Sequence, residues 1–178
     1  GLDKVDIFEP ALGGPFVRHF GRLPGYKQSY YWDDLVPAEE RGGVPFQDLS
    51  KLTFSDSSFD LVITSDVFEH IFDPLSAFKE VARVLKVGGV HIFSIPTDWP
   101  LPKVSVTRAE KRRGKVVHHH EKRFHRAGDG SQTLVVTDFG EDLIEMLEPM
   151  GLKTQIVRRS LPLDECYRNA TFISRRLF

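Results

Sequence analysis

Histidines and carboxylates carry most of the chemistry this sequence offers. Asp66, Glu69 and His70 stand three and four positions apart, so a helical turn there would set them on neighbouring faces. An imidazole titrates near neutral pH and can take a proton from a substrate hydroxyl, which makes His70 a catalytic candidate. A histidine after a glutamate is equally at home as a hydrogen-bonded structural group. His118, His119, His120 and His125 follow farther along the chain. On a strand, His118 and His120 would point the same way and could share a metal. No nearby pair of carboxylates completes such a set, so no metal site is expected. His125, next to Phe124, is expected to reach inward as a substrate contact or a base. Asp33, Asp34 and Asp48 are further acceptors, and each would serve equally well to cap a loop or turn.

The elements that must hold these residues centre on 48–96. Residues 59–64 (FDLVIT) form an apolar run of strand length. Asp73-Pro74 then pairs an oxygen-bearing cap with proline at the first helical position. Leu75, Phe78, Ala82 and Leu85 recur at helical spacing beside Val81 and Val84, so one broad stripe should face a sheet. Gly88-Gly89 is expected to stop that helix, and residues 90–95 (VHIFSI) to form a second strand ended by Pro96. Strand, helix, glycine turn and strand make a βαβ unit with parallel strands and a right-handed crossover. Ligands bind outside the carboxyl ends of such strands, where Ser65 and Asp66 on one side and Thr97-Asp98 on the other make a polar, acidic cleft.

Upstream, residues 4–8 (KVDIF) read as a first strand, followed by Glu9, Gly13 and Gly14 and then Phe16, Val17 and Phe20 on a helix. A strand, glycine-bearing turn and helix present backbone N–H groups to the charged end of a ligand, although a plain turn uses the same residues. Residues 26–32 (YKQSYYW) read as a second strand. Downstream, residues 98–132 are rich in Lys and Arg and read as an inserted two-stranded flap, with arms at 104–107 and 115–119 and a turn at Arg113-Gly114. An anionic substrate is the sharper reading of that flap, and a solvated basic surface the plainer one. Thr137 or Asp138 is expected to cap a helix carrying Phe139, Leu143, Ile144 and Leu147. Residues 153–158 and 171–174 should form an antiparallel edge hairpin.

A chain of 178 residues suits one domain, 1–178, able to bury a core. A net charge of −1 gives no overall attraction to polyanions, and the basic flap lacks clustered aromatics, so nucleic-acid binding is not favoured. No apolar run reaches membrane-spanning length. The single cysteine, Cys166, excludes an internal disulfide framework. A cytoplasmic protein is the simplest expectation.

In order, F-D-L-V at 59–62, D-V-x-E-H at 66–70 and R-V-L-K-x-G-G at 83–89 resemble class I S-adenosylmethionine-dependent methyltransferases of the broad type 11 kind. The resemblance covers most of the chain, is strong over 46–96, and is closest to bacterial members found beside glycan-assembly genes. It implies a Rossmann-like, doubly wound, mostly parallel α/β sheet with a C-terminal antiparallel hairpin. It also implies S-adenosyl-L-methionine as cofactor and a small-molecule or glycan-related acceptor. By this likeness Asp48 meets the adenine amino group and Leu49 packs beside the ring. Asp33 or Asp34 takes the ribose hydroxyls, with Tyr30 at the usual acidic position. Glu9 and Gly13 form the turn by the first strand, and Ser65 and Asp66 face the sulfonium. The family's three spaced glycines are replaced by Phe8, Pro10 and Leu12. The helices that usually precede the first strand and cover the cleft are not in this sequence, so another segment or a partner is expected to cover it. A fold retained as a binding or scaffold domain without turnover is the alternative function.

Overall fold

The computed structural model describes residues 1–97, 100–157 and 169–178. Asp98, at the expected mouth of the cleft, and Cys166 lie outside them. In chain order the elements are β1 (Ile7–Pro10), α1 (Pro15–Phe20), β2 (Tyr26–Ser29), β3 (Glu40–Arg41), β4 (Val44–Pro45), β5 (Phe59–Ser65), α2 (Pro74–Val84) and β6 (Leu85–Pro96). The inserted region holds β7 (Val106–Thr107), β8 (Ala109–Arg112), β9 (Lys115–His118), β10 (Phe124–Arg126), β11 (Gln132–Leu134) and β12 (Thr137–Asp138). α3 (Leu143–Leu147), β13 (Leu152–Val157) and β14 (Asn169–Arg176) complete the elements among the described residues.

The central sheet runs β13-β14-β6-β5-β1-β2. β2, β1, β5 and β6 are parallel, and β14 runs antiparallel to both β6 and β13. FDLVIT and VHIFSI are therefore parallel neighbours, with Ile63 opposite Ile92. α2 crosses between them as expected. Asp73 caps it by accepting from the Ser76 amide at 3.1 Å, Pro74 opens it, and its inward face buries Ala77, Phe78, Val81, Ala82 and Val84.

That face meets a shared aromatic core. Phe68 and Phe78 stack at 3.7 Å between centroids, and Phe93 stacks on Phe172 at 4.9 Å. Each fully buried phenylalanine contributes about 1.5–3 kcal/mol relative to exposure. His91 lies among these rings, fully buried, with its Nε2 2.9 Å from the Thr64 hydroxyl. Burial drives its pKa down to about 3, so the imidazole is neutral in the native state.

Several boundaries depart from expectation. α2 ends at Val84, where Leu85 turns extended, so Gly88-Gly89 do not stop it. They lie instead in an irregular start of β6, where the register slips between Phe59 and Leu61. Gly88 takes φ of 82°, and a Cβ on Gly89 would come within 3.1 Å of the Phe59 carbonyl oxygen, so this bend needs both. α1 buries none of its residues; Phe16 and Phe20 stack on each other at 6.3 Å instead of on the sheet. The flap is not one hairpin but two, β8/β9 and β10/β11, while β7 pairs with β12. The Arg113-Gly114 turn is correct, both residues having positive φ, but its first arm is 109–112. Thr137 and Asp138 are strand, and Asp142 precedes α3. Among the described residues no helix is long and apolar enough to cross a membrane.

Candidate functional site

The carboxyl ends of β1, β2 and β5 bring most of the expected site residues to one side of the sheet. At the end of β1, Glu9 is only 3% exposed and accepts from the Tyr26 hydroxyl at 2.6 Å. Burial raises its pKa, partly offset by that hydrogen bond. Gln28 on β2 donates to the Ala11 carbonyl at 2.6 Å and so ties down the following turn. A Cβ on Gly13 would meet nothing within 4 Å, so the turn faces open space. Phe8, at one of the usual glycine positions, is fully buried against Phe54 and Phe59 and serves the core.

Beyond β2 the acidic residues divide. Asp34 accepts from Arg41 at 2.7 Å, and that contact holds its carboxyl below the usual range. Arg41 also lies over the Trp32 ring at 5.3 Å. Asp33 sits close enough to Tyr31 to raise that phenol's pKa, behind the larger effect of burial. Tyr30 bridges in parallel to Phe46 and extends the sheet toward Asp48. One Asp48 oxygen accepts from the Ser50 amide at 2.8 Å, the turn-capping role open to it from sequence. Leu49 is buried and belongs to the core cluster. A shallow pocket of about 340 Å³ lies nearby, lined by Pro37, Ala38, Pro45, Phe46, Gln47 and Thr53 among others.

At the end of β5, Ser65 is exposed and Asp66 takes φ of 54°, a conformation uncommon outside glycine. Its amide donates to the Ser94 carbonyl at 3.1 Å, and its carboxylate accepts from the Ser94 hydroxyl at 2.7 Å and from Asn169 at 2.9 Å. Asp66 thus locks the ends of β5, β6 and β14 together, and its carboxylate is committed to that junction.

Glu69 and His70 follow on a 3-10 turn, Phe68–His70. Glu69 is 1% exposed, and neither of its carboxylate oxygens has a hydrogen-bond partner among the described residues. Two imidazoles close on one of those oxygens: His70 Nε2 and His125 Nδ1 each stand 3.4 Å from Glu69 Oε1. The rings are perpendicular, with centroids 5.3 Å apart. β10 supplies His125, and β11 supplies the Leu134 carbonyl that lies 2.8 Å from His70 Nδ1. The Val136 amide donates to the Glu69 carbonyl at 2.7 Å, so the insertion is fastened to the turn by its backbone. Sequence spacing singled out both histidines but not Glu69 as their common centre. A buried glutamate beside a histidine in D-V-x-E-H was the available signal.

At the other end of the β10/β11 hairpin, Gly128 and Asp129 reach Tyr30. Burial and the Asp129 charge raise the Tyr30 pKa, while backbone hydrogen bonds from Asp129 and Gly128 pull the other way. The hairpin therefore runs from the end of β5 to the end of β2, across β1. His118 and His120 do not gather: both are exposed, β9 ends at His118, and it is His119 that pairs, 2.9 Å from Glu110. Part of the basic surface is also spoken for, since Arg108 pairs with Asp138 at 2.7 Å and Arg112 with Glu110 at 2.6 Å.

A parallel α/β sheet with carboxylates and an insertion at its carboxyl ends is the architecture of a Rossmann-like domain with one ligand cleft. Residues 34–93 match the family described as Methyltransferase domain. That match covers about a third of the chain, and the fold is the Rossmann-like one of class I methyltransferases. Malonyl-[acyl-carrier protein] O-methyltransferase of Marinomonas sp. (strain MWYL1) is 38% identical over 58 residues, 33% of this chain and 22% of that protein. An uncharacterized methyltransferase of Schizosaccharomyces pombe is 49% identical over 39 residues, 22% of this chain and 14% of that protein. The chain thus spans 14–27% of the length of these curated relatives. Among solved structures, an S-adenosylmethionine-dependent methyltransferase from Mesorhizobium loti superposes with a TM-score of 0.58 at 15% identity, covering 97% of this chain and 91% of that one. The DhpI complex with S-adenosylhomocysteine gives 0.59 at 20%, covering 97% and 76%. These likenesses are of fold.

Proposed function

We propose that the domain binds S-adenosyl-L-methionine and transfers its methyl group to a small-molecule or glycan-related acceptor. The observation that carries this is the gathering of Glu9, the open Gly13 turn and Asp48 at the carboxyl ends of the strands, around a segment that matches the methyltransferase family. The residues fit the cofactor's chemistry. A half-satisfied buried carboxylate, Glu9, suits its cationic end, and Asp33 or Asp34 suits the ribose hydroxyls. Asp48 keeps one oxygen for the adenine amino group, with Leu49 beside it. When bound, the cofactor supplies an electrophilic methyl, so the protein's task is alignment and exclusion of water. Ser65 and Asp66 set the floor between cofactor and acceptor, and His70 and His125 meet the acceptor. Exposed basic side chains such as Lys115 and Lys122 favour an anionic acceptor, a preference that should fade with salt.

Calorimetry with S-adenosylhomocysteine tests the reading. Saturable binding is expected, and Asp48→Ala should weaken it by about 0.5–3 kcal/mol. No binding at millimolar concentration would overturn it. A second reading, ligand binding without turnover, is favoured by the use of Phe8 for the core where the family has glycine; binding without transfer to any acceptor would select it. A small protein that completes the cleft is a further partner class. The Haloferax volcanii Trm112 activator forms a complex with a methyltransferase of similar fold, at a TM-score of 0.57 and 14% identity.

A further inference from the structure

We propose that Glu69, His70 and His125 form a binding site for one divalent transition ion, with Zn²⁺ as the fitting probe. The proposal rests on the geometry of these three residues and not on methyl transfer, so a chain without any transferase activity would bind the ion equally.

Consider first what the carboxylate lacks. Glu69 is almost fully buried, yet neither oxygen accepts a hydrogen bond among the described residues. A buried carboxylate left in that state is costly, and a positive partner against it would remove the cost. Three donor atoms, one from each residue, lie within 4.8 Å of one another, a cluster that small side-chain adjustments would close around one ion.

The hydrogen bond to Leu134 then fixes the tautomer of His70. A carbonyl oxygen only accepts, so Nδ1 carries the proton and Nε2 is turned toward Glu69. On a neutral ring Nε2 presents a lone pair to a carboxylate oxygen, and two acceptors face each other at 3.4 Å. His125 Nδ1 meets the same oxygen at the same distance. Something positive belongs in the gap.

Distance chooses between a proton and a metal ion. A charge-assisted N–H···O bond closes to about 2.7–2.9 Å. Donor atoms each about 2.0–2.1 Å from a tetrahedral ion stand about 3.4 Å apart instead. Both observed separations take the second value. The donor set, two imidazoles and one carboxylate, suits Zn²⁺ and its neighbours and not Mg²⁺ or Ca²⁺. The Leu134 carbonyl is the outer partner that ligating histidines usually have. Three protein ligands leave a position open, and the partial exposure of the His125 side chain, 30%, leaves that side reachable. With the ion in place the imidazoles are ligands, and an acceptor oxygen meets the open position instead of a histidine.

Sequence spacing pointed away from this site because the ligands come from two places, 69–70 and 125, joined only when β10/β11 folds onto the 3-10 turn. The exposed run His118-His119-His120 is the natural control. Chelator-treated protein should bind one Zn²⁺ per chain in calorimetry, and Co²⁺ should give the intense visible bands of a low-coordinate ion. Glu69→Gln and His125→Ala should each weaken Zn²⁺ at least about 100-fold, while a His118→Ala/His120→Ala double variant keeps wild-type affinity. His125 sits on a hairpin outside the core, so its variant decides the matter even if Glu69→Gln fails to fold. Absence of stoichiometric binding at tens of micromolar Zn²⁺, or unchanged affinity in His125→Ala, would overturn the proposal. Binding of S-adenosylhomocysteine, measured separately on ion-free protein, tells failure of this site from failure of the cofactor reading.

Discussion

The βαβ unit from β5 to β6 and the insertion from β7 to β12 are held together by different forces. The first buries one continuous apolar face: Phe59 and Val62, the inner side of α2, and Phe93 and Ile95. The second buries little beyond Ala109, Val135 and Val136 and depends on backbone pairing and ion pairs such as Arg108 and Arg123 with Asp138. Surface ion pairs contribute little each, whereas a buried aromatic contributes several kcal/mol. The first region therefore determines whether the chain folds, and the second is free to determine what it meets.

The sharpest way to break that contrast is Phe78→Ala. It removes a ring stacked on Phe68 and packed edge-on against Phe93, so a loss of about 3–5 kcal/mol is expected in urea denaturation. A loss below about 1 kcal/mol would mean that the stack does not anchor the core.

His91 gives the next effect. The unfolded chain takes a proton on this residue near pH 6.5, while the folded chain does not until about pH 3. Stability from the neutral ring is thus complete above about pH 6.5 and declines as pH falls toward 3. Roughly 2–3 kcal/mol should go between pH 6.5 and 4.5. Thermal melts across that range should show the slope, and His91→Leu should flatten it. An equal slope in the variant would assign the acid sensitivity elsewhere.

The smallest effect belongs to the insertion. Asp138→Asn releases two arginines, yet global stability should change by less than about 1 kcal/mol. Amide exchange in β10 and β11 should accelerate all the same. A large global loss would show that the insertion is part of the core.

What the sequence disclosed follows the same division. The parallel pairing of β5 with β6 and the capped helix between them were legible because periodicity and Asp73-Pro74 act locally. The end of α2 was misread, since Gly88-Gly89 look like a helix stop but serve a strand irregularity set by the neighbouring carbonyls of Phe59 and Asp60. The flap was legible as an insertion, and its Arg113-Gly114 turn as a hairpin turn, but not the choice of strand partners. That choice rests on tertiary pairing, including β7 with β12, about thirty residues apart. His70 and His125 were readable as reactive types. Their meeting at Glu69 was not, because no local pattern encodes a contact between two distant segments.

The position of β14 between β6 and β13 has a consequence for how the molecule assembles. β13 precedes β14 in the chain, yet it joins the sheet only through β14, and Phe172 on β14 completes the stack with Phe93. A nascent chain that has emerged as far as Val157 therefore has β13 but not the strand that joins it to the sheet, and the edge of β6 is still unpaired. During synthesis that edge is available to other chains until β14 arrives. Sheet closure is thus a long-range event that waits for β14, and conditions that slow elongation through β14 should favour aggregation over assembly.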